Sequence, residues 1–300
     1  MGAREIINKV MRILLLVCAA LLVLLYVLGI IANVFGLLEM RRSDETVRVL
    51  LYASAGDRAV VGGAEYEGGV ISYAAVHAAG PQDSIAVIFV HGSPGSLDAF
   101  TGYLLDAHLQ AHASQFTYDR LGYGNSTPKQ AGKSLVEQSE QLFAFAQAIT
   151  AKRKIYVGHS LGCSIMARLA MDHPEVVQGM VMIAAPIDPA LEPSSWWRPL
   201  LEIPMIRIAM PHSFVISNRE LVSLKKDLEA CLLLWSRVQC PVLFIHGDRD
   251  KLVPLENVAF GKNVLVNARV SENILEGEGH FMLWTHEEVI VDGIIEMIDE

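Results

Sequence analysis

An unbroken apolar stretch near the N-terminus dominates the hydrophobic pattern of the chain. Residues 13–32 contain no charged side chain, and the uncharged stretch continues to Leu38, with Asn33 as its one strongly polar residue. A helix of about 20 residues spans the hydrocarbon core of a bilayer. A cleaved signal peptide has a shorter apolar region followed by a small-x-small cleavage site, and neither is present here. The pattern therefore predicts a membrane anchor over residues 13–38.

The basic residues on either side of the anchor predict its orientation. Three of them lie in the short N-terminal segment 1–12, and two, Arg41 and Arg42, follow the anchor. Because basic residues stay on the cytoplasmic side, this count favours a cytoplasmic N-terminus and an extracytoplasmic domain, periplasmic or external. The margin of one residue leaves the opposite topology open. The linker 39–46 reaches about 26 Å when extended, so we expect the following domain near the bilayer surface.

Beyond the linker, short β-branched runs alternate with longer helix-like segments. The predicted strands are residues 47–54, 70–77, 85–90, 115–119, 154–158, 176–185, 241–247 and 270–277. The predicted helices are residues 97–111, 132–150, 161–172, 255–263 and 285–299. Strand–helix alternation predicts an α/β fold with a mostly parallel sheet and helices on both faces. The domain is expected to cover residues 47–300, with glycine turns at Gly62, Gly63, Gly68 and Gly69 around a hairpin that includes 70–77.

One segment interrupts this alternation. Residues 187–240 hold five prolines and three of the four tryptophans, and they separate two predicted core strands. An insertion of this size is typical of a separate lid. The second half of the segment predicts an amphipathic helix that begins near Ser217 or Asn218.

Composition excludes several classes of protein. The formal net charge is −9, which argues against nucleic acid as a partner because phosphate binding needs a basic face. Hydrophobic residues make up 52% of the chain and charged residues 19%, so most of it is expected to pack. The four cysteines are scattered without a CxxC pair, which argues against a structural zinc site. A disulfide between Cys231 and Cys240 stays open for an extracytoplasmic domain.

The strongest chemical signal is the G-x-S-x-G pattern at residues 158–162. It follows a predicted strand and opens a predicted helix, the context in which this pattern forms a nucleophile elbow. The glycines leave room for a tight turn, and the positive end of the helix favours negative charge near Ser160. Ser160 is therefore the candidate nucleophile.

A serine nucleophile needs a base and a group that orients the base. For this kind of elbow the acid and then the histidine follow the serine along the chain. The segment 246–254 follows a predicted strand and offers Asp248 and Asp250, and His280 follows the last predicted strand. The order is the required one, and the choice between the two aspartates stays open on this argument.

Over residues 46–300 the sequence resembles the α/β-hydrolase fold family, in particular its lid-bearing serine esterases and lipases. The family's G-x-x-D-x-x-V-P pattern maps its acid onto Asp250, and its histidine after the last strand maps onto His280. The resemblance implies an eight-stranded sheet and a Ser160–His280–Asp250 triad. Dehalogenases and epoxide hydrolases share this scaffold but use an aspartate nucleophile, so Ser160 argues against both.

Two further family motifs surround the predicted site. The H-G-x-P loop is present at residues 91–94, and it implies that the backbone N–H groups of Ser93 and Leu161 form an oxyanion hole. The D-R-x-G-x-G-x-S segment is present at residues 119–126, where Asp119 and Arg120 are expected to hold the loops together. We expect no cofactor and no metal.

These observations predict a membrane-anchored serine hydrolase that cleaves carboxylic esters. Its expected partners are the membrane, through the N-terminal helix, and a small-molecule ester that the short linker and apolar lid suggest is lipid-derived. Two other functions stay open. One is a proline iminopeptidase-like aminopeptidase, which needs lid acids for a substrate amine. The candidates are Asp188, Glu192, Glu202 and Glu220. The other is a non-catalytic scaffold anchored in the membrane.

The apolar lid segment 196–210 has two interpretations. It covers an acyl pocket or enters the bilayer interface, or it forms a small core that packs on the sheet. The sequence favours neither, because single apolar residues say nothing about ligands.

Overall fold

An eight-stranded sheet forms the centre of the molecule. The computed structural model describes residues 2–36, 41–78, 84–129, 132, 134–193 and 196–300. The strands are β1 (Ala59–Tyr66), β2 (Gly69–Val76), β3 (Ile85–Val90), β4 (Ser114–Tyr118), β5 (Arg153–His159), β6 (Gly179–Ile183), β7 (Val242–Gly247) and β8 (Val270–Leu275). Their order is β1-β2-β4-β3-β5-β6-β7-β8, with β3 to β8 parallel and β2 antiparallel to both its neighbours. The predicted fold class is confirmed.

Helices cover both faces of this sheet. The α-helices of the described residues are α1 (Ala3–Val34), α2 (Asp44–Ala55), α3 (Thr101–Leu105), α4 (Ala107–His112), α5 (Leu135–Gln147), α6 (Leu161–Asp172), α7 (Pro204–Arg207), α8 (His212–Cys231), α9 (Glu256–Val264), α10 (Met282–Thr285) and α11 (Glu287–Asp299). Alternate residues of β3 enter the two cores: Ile88 packs on the side of α5, α6 and α9, and Phe89 on the side of α2, α3 and α11. Burial on both faces explains why the central parallel strands β3 and β6 are almost wholly apolar, whereas the edge strand β8 is more polar and mostly exposed.

The predicted strand at residues 47–54 is wrong, because this segment lies in helix α2. Ser43 caps the helix by accepting a hydrogen bond from the Thr46 N–H, and two acidic residues follow in the first turn. Val47 and Leu51 are buried one helical turn apart. The predicted linker 39–46 therefore ends at Ser43, and its first two residues, like the anchor's last two, lie outside the described residues.

The first strand of the sheet comes later than expected. It is β1, which pairs with β2 in a hairpin whose turn holds Gly68. Gly62 and Gly63, predicted as turn residues, lie inside β1. A Cβ on Gly63 would overlap the Val70 side chain, so at this position the glycine allows close strand packing.

Helix α1 is long and apolar enough to cross a membrane, judged by length and composition. It runs over 32 residues, and its apolar side chains are exposed along most of its length. Its C-terminal end contacts the insertion between β6 and β7: Asn33 Nδ2 donates to the Ile208 carbonyl at 3.2 Å.

That insertion is helical. It contains a short 3₁₀ turn (Arg198–Glu202), then α7 and α8. Helix α8 begins at His212, five residues before the earlier of the two predicted starts, because Pro211 precedes its first turn and fixes the backbone there. Its buried side packs towards the sheet through Leu224 and Leu228.

Candidate active site

Strand β5 ends in a strained turn that presents Ser160. The backbone of Ser160 has φ +52°, a conformation that costs a non-glycine residue energy and that persists where the surroundings enforce it. The flanking glycines permit the turn: a Cβ on Gly158 would lie 2.8 Å from the Cys163 nitrogen, and one on Gly162 would overlap the Val90 carbonyl. Ser160 also donates its N–H to the Ile183 carbonyl at 2.9 Å, which ties the turn to β6.

The structure brings Ser160, His280 and Asp250 together at the carboxyl edge of the sheet. Ser160 Oγ lies 3.1 Å from His280 Nε2, and His280 Nδ1 lies 2.7 Å from Asp250 Oδ2. With the proton on Nδ1, His280 donates to Asp250 and leaves Nε2 to accept from the serine hydroxyl. This arrangement can remove the Ser160 proton and hold the imidazolium that results.

Asp250, and not Asp248, contacts the histidine. The second oxygen of Asp250, Oδ1, accepts from the N–H groups of Leu252 and Val253 at 2.8 and 2.9 Å. Burial raises the pKa of Asp250, but these hydrogen bonds and the one from His280 outweigh it, so the pKa is lowered and the carboxylate stays ionised at neutral pH. Asp248 is exposed and instead accepts from the Gly277 N–H at 2.7 Å, which closes its loop.

His159, the second residue of the G-x-S-x-G pattern, makes a contact that was not predicted from the sequence. Its Nε2 donates to the backbone carbonyl of His280 at 3.0 Å, and its ring packs edge-on against Trp284. Burial and the neighbouring His280 lower the pKa of His159 to about 4, so it is neutral at pH 7. The sequence signal for this role was the position of His159 directly before Ser160 in the pattern.

The loop after β3 lies directly beside the elbow. A Cβ on Gly92 would lie 3.1 Å from the Ser160 Cβ, so the next residue, Ser93, lies close to this candidate nucleophile. Among the residues that the structure describes, the backbone N–H groups of Ser93 and Leu161 donate to no other protein group. Two such donors beside a serine nucleophile have the form of an oxyanion hole.

His91, with a neutral imidazole ring, holds this loop in place. Its Nδ1 donates to the Gly92 carbonyl at 2.8 Å, and its Nε2 accepts from the Arg120 N–H at 3.1 Å. Complete burial, and then the charge of Arg120, lower its pKa well below the usual range. His91 therefore acts as a structural link, with both ring nitrogens already engaged.

Arg120 connects the same loop to the insertion between β6 and β7. Its Nε and Nη2 donate to the carbonyls of His91 and Gly92 at 3.1 and 2.8 Å. Its Nη1 donates to Oε1 of Glu220, on lid helix α8, at 2.5 Å, and both side chains are almost fully buried. Burial alone lowers the pKa of Arg120, but the Glu220 carboxylate more than compensates and the pKa is raised.

Glu220 also contacts the oxyanion loop directly. Its Oε2 accepts from Ser93 Oγ at 2.5 Å and from the Tyr123 hydroxyl at 2.7 Å. The lid and the loop are thus joined by one buried carboxylate with three kinds of donor. From the sequence, Glu220 was a candidate only for binding a substrate amine.

Ser160 and His280 line two cavities. The larger has a volume of about 570 Å³, and its walls include Phe281 and Trp284. The smaller has a volume of about 220 Å³, and its walls include the apolar side chains of Leu221, Leu224 and Val253 together with Glu192 and Arg198. A substrate bond next to Ser160 therefore has room for a group on each side, one in each cavity.

The cysteines do not form the pair considered from the sequence. Cys231 and Cys240 are free, buried thiols, and Cys231 lies 3.9 Å from an Arg168 nitrogen. Within the described ranges no three metal-ligating side chains cluster.

Comparison with known proteins agrees with this fold. A sequence model of the α/β-hydrolase fold family matches residues 85–204. The non-heme chloroperoxidase of Streptomyces lividans is 25% identical over 252 residues, which cover 70% of this chain and 90% of that protein. Protein ABHD8 of Homo sapiens is 26% identical over 207 residues, 59% of this chain and 47% of ABHD8, so the chain matches about half of that relative.

Two solved structures have the same architecture. The α/β hydrolase MGS-M2, from a Medee basin deep-sea metagenome library, aligns with a TM-score of 0.65 and 15% identity, over 80% of this chain and 98% of its own. A membrane phospholipase A, described as a bacterial virulence factor, aligns with a TM-score of 0.60 and 19% identity, over 98% of this chain and 99% of its own. At these identities the likeness shows the fold alone. The match of the α/β-hydrolase fold model to residues 85–204 and the strand order agree, and the chain has the α/β-hydrolase fold.

Proposed function

We propose that this protein is a membrane-anchored serine hydrolase that cleaves hydrophobic carboxylic esters. The observation that carries the proposal is the continuous hydrogen-bonded chain from Ser160 through His280 to Asp250, next to two backbone donors and two cavities. Each group in this chain has the position that nucleophilic catalysis at a carbonyl requires.

The first half of the reaction forms an acyl-enzyme. Ser160 Oγ attacks the carbonyl carbon while its proton passes to His280 Nε2. The carbonyl oxygen becomes an oxyanion held by the N–H groups of Ser93 and Leu161, each worth about 3 kcal/mol of transition-state stabilisation. The intermediate then collapses: the C–O bond to the alcohol breaks, and His280 returns the proton to the departing alcohol oxygen.

The second half releases the acid. A water molecule gives a proton to His280 Nε2 as its oxygen attacks the acyl carbon. The bond to Ser160 Oγ breaks, and the serine recovers its proton from the histidine. Throughout, the Asp250 carboxylate holds Nδ1–H and stabilises the positive imidazolium.

The walls of the cavities support an apolar substrate. Leu221, Leu224 and Val253 line the smaller cavity, and Phe281 and Trp284 line the larger one. Such walls favour a hydrocarbon acyl chain. The membrane phospholipase A with the same fold is a neighbour that acts on lipid, and a lipid-derived ester is the substrate class we propose here.

We propose further that α1 is a retained single-pass anchor. Its length exceeds the bilayer's hydrocarbon thickness, and its first turns carry Arg4, Lys9 and Arg12. In this topology the N-terminus is cytoplasmic and the hydrolase domain lies outside, close to the membrane surface.

Hydrolysis of a graded ester series tests the proposal. The full chain in detergent, beside Ser160→Ala, is assayed with p-nitrophenyl esters of increasing acyl length at matched detergent and substrate concentrations. The proposal expects hydrolysis that Ser160→Ala abolishes and a kcat/KM that rises from acetate to medium chains. Equal rates for both proteins refute the nucleophile, and a preference for acetate refutes the hydrophobic substrate.

Perhydrolysis is a second candidate activity, favoured by the similarity to a non-heme chloroperoxidase over 90% of that protein. Hydrogen peroxide would replace water in the second half-reaction, so that the acyl-enzyme yields a peracid and free Ser160. Bromination of monochlorodimedone in acetate, hydrogen peroxide and bromide tests it, because the peracid oxidises bromide to the brominating species and returns to the acid. Bromination that Ser160→Ala abolishes supports it, and a rate equal to the buffer blank rejects it.

The contacts in the lid do not favour the aminopeptidase alternative. Glu220 is bound to Arg120, Glu202 to Arg219, and Asp188 accepts from the Ala190 N–H. Of the four candidate acids, Glu192 lines a cavity with Ser160, and burial raises its pKa, which weakens it as a partner for an ammonium group. A prolyl-naphthylamide assay checks this, and turnover above that of Ser160→Ala reinstates the alternative.

A further inference from the structure

One stretch of the lid exposes large apolar side chains at high density. Trp196 and Met205 expose 77% and 69% of their surfaces. Together with their exposed neighbours they form what we call the lid face: Trp196, Trp197, Leu200, Ile203, Met205, Ile206 and Ile208. Their exposure rules out a small core packed on the sheet. Concentrated apolar exposure on a folded domain marks a docking surface.

The lid face adjoins the end of the apolar helix α1. The Asn33 side chain donates to the Ile208 carbonyl at 3.2 Å. Gly29 lies close enough to Ala209 that a Cβ added to it would be 3.5 Å from the Ala209 oxygen. The lid face therefore lies where the proposed anchor leaves the bilayer.

The charged side chains of this region are mainly basic. Arg198, Arg207 and Arg219 lie in or next to the lid face. They face two acids: Glu202, bound to Arg219 at 2.9 Å and to Arg207 at 3.9 Å, and Glu192, whose charge acts on Arg198. This excess of positive charge contrasts with the net charge of −9 for the whole chain. Arginines beside apolar side chains suit the boundary between acyl chains and anionic headgroups.

The cavity with Ser160 is on the same side of the molecule. Its walls include Arg42, which follows α1, and Phe214 near the start of α8. The backbone N–H of Arg42 donates to Asp98 Oδ2 at 3.0 Å, so the segment after the anchor is attached to the cavity wall. Anchor, lid face and cavity thus meet in one region.

We propose that the lid face lies in the headgroup–acyl boundary of the same bilayer that α1 crosses, with the Ser160 cavity beside it. The occupant of the lid face is a phospholipid surface with anionic headgroups. An ester leaving that surface reaches Ser160 without crossing bulk water. The proposal rests on the proposed anchor role of α1 and does not depend on the ester chemistry.

Depth-dependent fluorescence quenching tests this inference. The full chain, with Cys18→Ala to remove the exposed thiol, receives Met205→Cys and an NBD label in vesicles of phosphatidylcholine and phosphatidylglycerol. The control is Val266→Cys, which is 68% exposed and precedes β8 at the amino edge of the sheet, opposite the site. A third protein carries the label on native Cys18 and reports on α1.

The outcomes separate the proposals. We expect doxyl-lipid to quench the labels at 205 and 18 several-fold more than the label at 266, and iodide to quench only the label at 266. Equal iodide quenching at 205 and 266 places the lid face in water and overturns the inference. An unquenched label at Cys18 overturns the anchor and the inference together.

A further outcome concerns contact with protein. A blue-shifted label at 205 that doxyl-lipid leaves unquenched shows that protein covers the lid face, and this result also overturns the inference. Esterase activity of the same vesicles reports independently on the proposed function.

Discussion

Arg120 and Glu220 form a buried ion pair that joins the loop after β3 to helix α8 of the insertion. Nη1 and Oε1 are 2.5 Å apart, and Nη2 and Oε2 are 3.2 Å apart. The two residues lie 100 positions apart in the sequence, one after β4 and one on α8. Because Glu220 also accepts from Ser93 Oγ, any displacement of the lid helix acts directly on a loop that contributes to the candidate oxyanion hole.

Removing the charge of Glu220 is expected to lower the free energy of unfolding and to slow ester hydrolysis. Glu220→Gln leaves the Arg120 guanidinium buried without a counter-charge, which costs about 3–5 kcal/mol of the free energy of unfolding. We expect a lower kcat as well, since the Ser93 hydroxyl loses its charged acceptor. Urea unfolding in detergent and ester hydrolysis measure the two effects. Glu229→Gln, an exposed acid on the same helix, is the control, and equal unfolding free energies for the two variants would show that the pair does not hold the lid.

The two aspartates of the loop after β7 are expected to differ sharply. Asp250→Asn keeps the shape but allows the wrong histidine tautomer, for which a loss of about 10⁴ in kcat is typical. Asp248→Asn removes only a contact to the Gly277 N–H, so its kcat should stay within a few-fold of the wild type. The comparison is made with one soluble ester at saturation. The reverse ranking would assign the acid to Asp248.

Buried neutral histidines predict a loss of stability in mild acid. His159 has a pKa of about 4 in the folded protein against 6.5 when unfolded, so between these values the unfolded chain takes up a proton that the folded chain refuses. The free energy of unfolding therefore falls as the pH drops from 6.5 to 4, by about 3 kcal/mol for this group, and is unaffected by it above 6.5. His91 and His246, whose pKa values are also lowered, act in the same direction.

His159→Gln isolates this contribution, because glutamine keeps a donor for the His280 carbonyl. Urea unfolding between pH 7.5 and 4.5 should show a slope that is shallower in the variant by up to one proton. Superimposable slopes in the two proteins would mean that His159 titrates normally in the fold.

Local pattern predicted the parallel part of the sheet well. Strands β3, β6 and β7 are short apolar runs with turn residues at their ends, and their burial on both faces produces this signature directly. The same reasoning failed at residues 47–54. Val47 and Leu51 lie four residues apart, which is helical spacing. Val49 and Leu50 lie between them, and these additional apolar residues made the segment resemble a strand.

Position in the chain also predicted which residues of the candidate site come together. The order of elbow, acid loop and histidine loop placed Ser160, Asp250 and His280 after three strands of one parallel sheet, and such strand ends converge. The pairing of Glu220 with Arg120 could not be predicted from the sequence, because no local pattern indicates a contact between residues 100 positions apart. A signal was present nevertheless: Glu220 precedes Leu224 and Leu228 at four-residue spacing, and an acid on a buried helix face requires a partner.

Covalent labelling tests the central claim, an activated Ser160, most directly. The full chain in detergent, beside Ser160→Ala, is treated with a fluorophosphonate probe, and the modified peptide is identified by mass spectrometry. We predict a single phosphonylated site on Ser160 in the wild type and no label in the variant. A folded wild-type protein that stays unlabelled in detergent, or a label that persists in Ser160→Ala, would contradict the claim.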